Sequence, residues 1–322
     1  MKLVTFREHS GVHIGALLDE GAVLDLSLAS AYAPAFDSMI ALIEAGAEAW
    51  DRARILVRQA ATAAVRPVDS VRLLAPLPVP PQMRDFMCFE KHVQQALCAR
   101  ARLMAGQEAD PVRKAALLLE AEQIKVPEVW YQQPVYYKCN RFAVSGPEDV
   151  IRWPSYSNFM DYECELACVI GKGGRDIPAA RAHEHIFGFT VFNDFSARDA
   201  QGREMDGKLG PAKGKDFDTA NAMGPCLVTL DEIGDPHALQ MSVRLNGTEV
   251  SRGSSQTMHW RFEELIAHVS RDETLHAGEI LGSGTVGDGC GFESLRFLED
   301  GDVVELEIER IGVLRNRLSR MA

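Results

Sequence analysis

One short segment constrains this chain more than any other: Asp161-Tyr162-Glu163-Cys164-Glu165-Leu166-Ala167-Cys168-Val169-Ile170. It is rich in apolar residues and closes on Gly171-Lys172-Gly173-Gly174, a pattern that predicts a buried β-strand ending in a turn. Side chains alternate faces along a strand, so Glu163 and Glu165 point the same way, about 7 Å apart. Two like charges on one face of an apolar strand repel each other and lose hydration. A divalent cation between their oxygens offsets both costs. The plainer alternative is a solvated strand face carrying two unrelated acids.

A third acid weighs against that alternative. Phe187-Gly188-Phe189-Thr190-Val191-Phe192-Asn193-Asp194 is another strand-like run, and it ends in Asp194. Three carboxylates from two strands suit Mg²⁺, Mn²⁺ or Ca²⁺ better than zinc. The histidines place no His-x-Glu or His-x-x-x-His pair beside these carboxylates, and His183 and His185 read as surface residues at a helix start. Cys164 and Cys168 fall on the opposite face of their strand, where a core is expected.

The acid excess, 46 Asp and Glu against 34 Lys and Arg, gives a net charge of −12 and argues against nucleic acid or an anionic membrane as partner. No apolar run reaches transmembrane length. Charges near the N-terminus and seven cysteines without a Cys-x-x-Cys pair point to a reduced, cytoplasmic protein.

Residues 1–75 read as a small N-terminal α/β unit, with short strands, turns at Ser10-Gly11 and Asp19-Glu20-Gly21, and helical sequence over about 36–64. Leu74-Ala75-Pro76-Leu77-Pro78-Val79-Pro80-Pro81 predicts an extended linker. Residues 76–322 form the second, β-rich unit, interrupted by a helical insertion over about 92–125. Glu305, Glu307 and Glu309 repeat the alternating-acid spacing but read as the solvated face of a half-exposed strand.

Several motifs in order resemble the fumarylacetoacetate hydrolase family. They are the Asp-Tyr-Glu-x-Glu-Leu strand, Asn193-Asp194-Phe195-Ser196-Ala197-Arg198-Asp199-Ala200-Gln201, Gly214-Lys215-Asp216-Phe217-Asp218-Thr219, Met223-Gly224-Pro225, Asn246-Gly247 and Leu281-Gly282-Ser283-Gly284-Thr285. The resemblance covers most of residues 75–317 and implies an α+β, β-rich fold with mixed sheets rolled around a metal site. It implies a metal, Mg²⁺ first, held by Glu163, Glu165 and Asp194. Arg84-Asp85-Phe86-Met87-Cys88-Phe89-Glu90-Lys91-His92 resembles the segment where fumarylacetoacetases carry an acid ligand and a catalytic histidine. Asp85 is thereby implied as a fourth ligand and His92 as general base, with Glu293 as its orienting partner because the nearby position 95 is Gln95. Lys215 is implied as the group that stabilises negative oxygen. Arg198, Gln201, Tyr137 and Thr285 are implied as contacts to an acidic substrate, whereas Lys208 and Lys213 read as solvated and Asp199 and Asp218 as supporting residues.

The activity implied is hydrolysis of a carbon–carbon bond in a 1,3-diketo acid of the fumarylacetoacetate or acylpyruvate type, by a homodimeric enzyme. The alternative is decarboxylation, isomerisation or hydration of oxaloacetate-like or enol keto acids on the same metal site. A member that binds metal and dicarboxylate without turnover is the third possibility.

Overall fold

A computed structural model describes residues 1–18 and 21–320; the expected turn at Asp19-Glu20 lies outside the described residues. The chain is α+β and strand-rich, as its alternating apolar runs predict. Its largest sheet runs Val65–Pro67, Ala22–Asp25, Gly11–Leu17, Lys2–Glu8, Asn221–Thr229, Ile186–Asp194, Cys164–Ile170, Ile280–Gly282, Met83–Phe86 and Tyr136–Lys138. A second sheet orders Thr248–Ser254, Gln240–Leu245, Val303–Ile308, Gly312–Ser319 and Val150–Arg152.

The acid-bearing strand is central to the first sheet and buried on both faces. Cys164, Leu166, Cys168 and Ile170 join one core with Phe189, Val191 and Leu281. Ala167 and Val169 face a second core shared with Leu3, Ile14, Leu24 and Phe36 of the N-terminal unit. Regular strand geometry begins only at Cys164, not at Asp161 as the apolar run predicts. The reason is local: Met160–Asp161 keeps the same register opposite Ser196–Ala197, but the ladder is interrupted between them and Cys164, where Glu163 makes an isolated bridge to Cys290.

The N-terminal unit shares the large sheet with the rest of the chain. Lys2–Glu8 pairs with Asn221–Thr229, with Leu3 opposite Leu227, so backbone hydrogen bonds as well as packing join the two. The proline-rich stretch has no regular structure, as expected, yet it is not loose. Ala75 and Leu77 are buried, and the Pro76 carbonyl accepts from Thr5 Oγ1 at 2.7 Å.

The insertion forms the helices Glu90–Gly106 and Pro111–Glu122 and a short turn of helix, Glu128–Gln132. Asp110 caps the second, accepting from the Val112 and Arg113 amides, with Pro111 at the first helical position, where its missing N–H costs nothing. Val93, Val126 and Trp130 form its own small core. Trp130 donates to the Met87 carbonyl at 2.7 Å and Trp260 to the Trp130 carbonyl at 2.9 Å, which tethers the insertion beside the start of the first helix. Among the described residues no helix is long and apolar enough to cross a membrane.

Leu166 is fully buried on the central strand, next to Glu165 and facing the core on the opposite side. Leu166→Ala should destabilise the protein by about 2–5 kcal/mol through lost burial and a residual cavity. A denaturant midpoint unchanged from the parent would mean that this core relaxes around the deletion.

Candidate metal and catalytic site

Three strands deliver three acids to one point. Asp85 on Met83–Phe86 and Glu165 on Cys164–Ile170 lie on strands that flank Ile280–Gly282, and Asp194 ends the strand Ile186–Asp194. One carboxylate oxygen from each of Asp85, Glu165 and Asp194 lies within 4.8 Å of the others, and all three residues are buried. Glycine makes that approach possible. A Cβ on Gly282 would stand 2.4 Å from Asp85 Oδ1 and 3.1 Å from Glu165 Oε2. Gly284, at φ +74°, turns the loop so that its amide donates to Asp85 Oδ1 at 3.2 Å and to Glu165 Oε2 at 3.1 Å.

The cations of the site are spent on a neighbouring set of acids. Arg198 donates from Nε and Nη2 to Asp161 Oδ2, at 2.9 and 2.7 Å, from Nη2 to Glu163 Oε1 at 2.8 Å, and from Nη1 to Gln201 at 3.0 Å. With five N–H groups on a guanidinium, one on Nη1 remains for another partner. Lys215 Nζ donates to both Glu163 Oε2 and Asp194 Oδ2. Asp161 also accepts from the amides of Tyr162, Gly291 and Phe292, so its carboxylate is fully engaged.

Protonation follows this division of charge. Burial alone would raise Glu163, but Arg198, Lys215 and His92 outweigh it and hold that carboxyl well below its usual range. Burial pushes Glu165 well up, and Asp85 beside it adds to the rise. Burial likewise raises Asp85, and it lifts Asp194 to about 7 despite Lys215. Lys215 stays protonated because Asp194 and Glu163 overcome the desolvation of its ammonium.

A divalent hard cation fits this trio on the structure's own terms. Its donors are oxygens only, Lys215 meets it at Asp194 Oδ2, and Asp194 Oδ1 is buried with no hydrogen-bond partner. Glu163, expected as a ligand, faces the same cluster, but Arg198 and Lys215 hold its oxygens, and Lys215 bridges it to Asp194.

His92 occupies the first turn of the helix Glu90–Gly106, and Glu293 a short turn at Phe292–Ser294. Nδ1 of His92 lies 2.8 Å from Glu293 Oε1, across 201 residues of sequence, and Nε2 lies 4.0 Å from Glu163 Oε1. Gln95 points elsewhere, donating to Asp288 at 2.6 Å. Tyr137 donates to Asp194 Oδ2 at 2.6 Å, and Thr285 Oγ1 to Glu165 Oε1 at 3.4 Å, so both lie against the acids. Asp199 supports the Ser157–Asn158 turn, Asp218 is exposed 3.6 Å from Arg152, and Lys208 and Lys213 are exposed.

Comparison with known proteins identifies this arrangement. Residues 87–319 match the model of the fumarylacetoacetate (FAA) hydrolase C-terminal domain. The chain belongs to the fumarylacetoacetate hydrolase family. Over 331 aligned residues it is 31% identical to oxaloacetate tautomerase YisK of Bacillus subtilis, covering 99% of this chain and 100% of that protein. It is 40% identical over 198 residues to the mitochondrial oxaloacetate tautomerase FAHD2A of Homo sapiens, covering 61% of each. Among solved structures, fumarylacetoacetate hydrolase from Exiguobacterium antarcticum superposes with a TM-score of 0.75 at 27% identity, over 99% of both chains. Maleylpyruvate hydrolase from Sphingobium sp. SYK-6, solved with manganese(II) and pyruvate, shares the fold at 21% identity and a TM-score of 0.72, over 99% of both chains. Enzymes of this family use a divalent metal.

Asp161 is the site residue that the sequence reading left out. It precedes Glu163 and Glu165 at the same two-residue spacing, so the signal was present. Without a ligand role to give it, alternation alone does not reveal that it anchors Arg198.

Two measurements test the trio. Glu165→Gln should weaken Mg²⁺ or Mn²⁺ binding by about tenfold or more in calorimetry. The cation also displaces protons from Asp194, Glu165 and Asp85, whose protonated forms burial favours. Affinity should therefore rise as pH rises through about 7 and fall below it, with proton release on binding. A pH-independent affinity would place the ion on Glu163, which is already ionised.

Proposed function

We propose that the protein is a metal-dependent enzyme that moves a proton between the central carbon and the carbonyl oxygen of an oxaloacetate-like acid, interconverting keto and enol forms. The structural observation that carries this reading is the His92–Glu293 pair beside the buried acid trio. The full-length relative named as an oxaloacetate tautomerase supports it over carbon–carbon hydrolysis, the activity first implied by the motifs. A homodimer in the cytoplasm is part of the same proposal.

A divalent cation on Asp85, Glu165 and Asp194 would act as Lewis acid toward the substrate's carboxylate and carbonyl oxygens. His92 takes the proton from the carbon between the two carbonyl groups, and the C–H electron pair moves onto the carbonyl oxygen. Glu293 on the opposite ring nitrogen holds one tautomer and stabilises the imidazolium. His92 then returns the proton to that oxygen, so one base completes the shift and no water is consumed. Lys215 contributes fixed positive charge rather than a proton, because Asp194 and Glu163 hold its ammonium. The free N–H of Arg198 and the Gln201 amide are left for the distal carboxylate.

Hydrolysis of an acylpyruvate or fumarylacetoacetate is the second reading, supported by the name of the Exiguobacterium structure. It needs a water between His92 and the attacked carbonyl. The decisive experiment follows ultraviolet absorbance for oxaloacetate, acylpyruvates and fumarylacetoacetate, with Mg²⁺ and with chelator. Metal-dependent acceleration of oxaloacetate enol decay without bond cleavage supports tautomerisation. Cleavage products from the diketo acids with no effect on oxaloacetate would replace it with hydrolysis.

Lys215→Met should lower turnover by about 10² or more, since its charge is needed where negative oxygen develops. It should also destabilise the metal-free protein by about 3–5 kcal/mol, since it leaves Glu163 and Asp194 without their buried cation. His92→Ala and Glu293→Gln should be non-additive in kinetic cost, because each disables the same proton transfer. Additive costs would mean that Glu293 does not act through His92.

A further inference from the structure

Cys290 stands beside the proposed dyad, and the chemistry above makes no use of its thiol. One ring nitrogen of His92, the Cys290 sulfur and one Glu293 carboxylate oxygen lie within 4.8 Å of one another. The backbone builds this meeting. Cys290 bridges to Glu163 where the ladder of the acid strand is interrupted, and its amide donates to Glu293 Oε2 at 3.3 Å. Cys290 and Glu293 thus come from one tight turn and face His92 on the first turn of its helix. Cys290 is 3% exposed and His92 7%.

The two donor sets of the site differ in kind. Asp85, Glu165 and Asp194 offer hard oxygens only, whereas the second set offers nitrogen, sulfur and oxygen. Thiolate and imidazole ligands favour zinc and its softer analogues, while magnesium takes oxygen. We propose that His92, Cys290 and Glu293 form a second metal site, selective for Zn²⁺ over Mg²⁺, and that its occupation switches the enzyme off by withdrawing His92 from proton transfer.

Binding is balanced simply. The Cys290 S–H bond breaks, its proton leaves to solvent, a zinc–sulfur bond forms, and no group is oxidised or reduced. Burial, with Asp161 and Glu293 nearby, holds the free thiol well above its ordinary value, so without zinc it is neutral and inert. The Glu293 carboxylate favours a divalent cation there, while the Arg198 guanidinium opposes it. A cavity of about 670 Å³ supplies an entry path: Cys290, Glu293 and Tyr162 line it together with Asp288, Glu299 and Asp302, and none of the three trio acids does. Zinc therefore has a route to Cys290 and Glu293 that does not pass the trio acids.

Metal capture is independent of which keto acid is turned over; the inhibition rests on the base role of His92 proposed above. The test uses the Mg²⁺-loaded protein titrated with Co²⁺ as a spectroscopic probe for zinc. A thiolate-to-cobalt charge-transfer band is expected in the parent and absent from both Cys290→Ser and Cys290→Ala. In parallel, Zn²⁺ added at saturating Mg²⁺ should inhibit the parent. Cys290→Ser should keep its basal turnover and need about tenfold or more zinc for the same inhibition. No band in the parent, or a band surviving in both variants, would overturn the site. Inhibition that extra Mg²⁺ relieves, or that is equal in parent and Cys290→Ser, would place zinc in the oxygen trio instead. If no substrate is turned over, the cobalt band still decides the binding, so failure of the functional reading is distinguishable from failure of the site.

Discussion

An excess of buried negative charge governs this structure. Asp85, Asp161, Glu163, Glu165 and Asp194 are each at most 5% exposed, and Arg198 and Lys215 are the buried cations among them. Arg198 neutralises the Asp161–Glu163 side, and Lys215 ties Glu163 to Asp194. Asp85 and Glu165 are left with each other, the shared Gly284 amide and, on Glu165, the Thr285 hydroxyl. Isolated carboxylates at such depth are costly enough that they take up protons or recruit a cation. The bare glycine at 282 and the left-handed turn at 284 both serve to bring these acids together.

That division also separates two tasks. The ionised side, around Glu163, is a fixed electrostatic frame that positions Arg198 and Lys215. The proton-bearing side is the part that can exchange protons for metal. His92 stands near the frame, with Nε2 closest to Glu163, and its other nitrogen is turned to Glu293. In the proposed reaction that position would put His92 near the substrate's reacting carbon without making it a ligand of the cation on the acid trio.

Much of this was legible in the residues alone. The two-residue spacing of Glu163 and Glu165 gave their common face, and Asp194 at the end of a second apolar run gave the third acid. The His92–Glu293 pairing came from resemblance, since no local pattern links positions 201 residues apart. What stayed hidden is partnership. Alternation says which face a carboxylate takes but not whether arginine, lysine or metal meets it there. For that reason Asp161 went unnoticed, and Glu163 and Glu165 read as equivalent although one is ion-paired and the other is not. Proline-rich sequence over 74–81 does not show that Leu74 pairs with Thr5 or that the sheet lies beneath the stretch that follows.

The strand Ile280–Gly282 wedges between two strands that precede it by a long stretch of chain. Gly284 meets Asp85 across 199 residues and Glu165 across 119. Closing such loops is entropically slow, so pairings of this kind form late in folding. Glu165 and Asp194 already share paired strands, so Asp85 joins them only when Ile280–Gly282 is in place, and the proposed three-acid cation site is complete only then. A metal added to the refolding chain should therefore slow unfolding more than it speeds folding, acting as a latch on the finished sheet rather than as a nucleus for it.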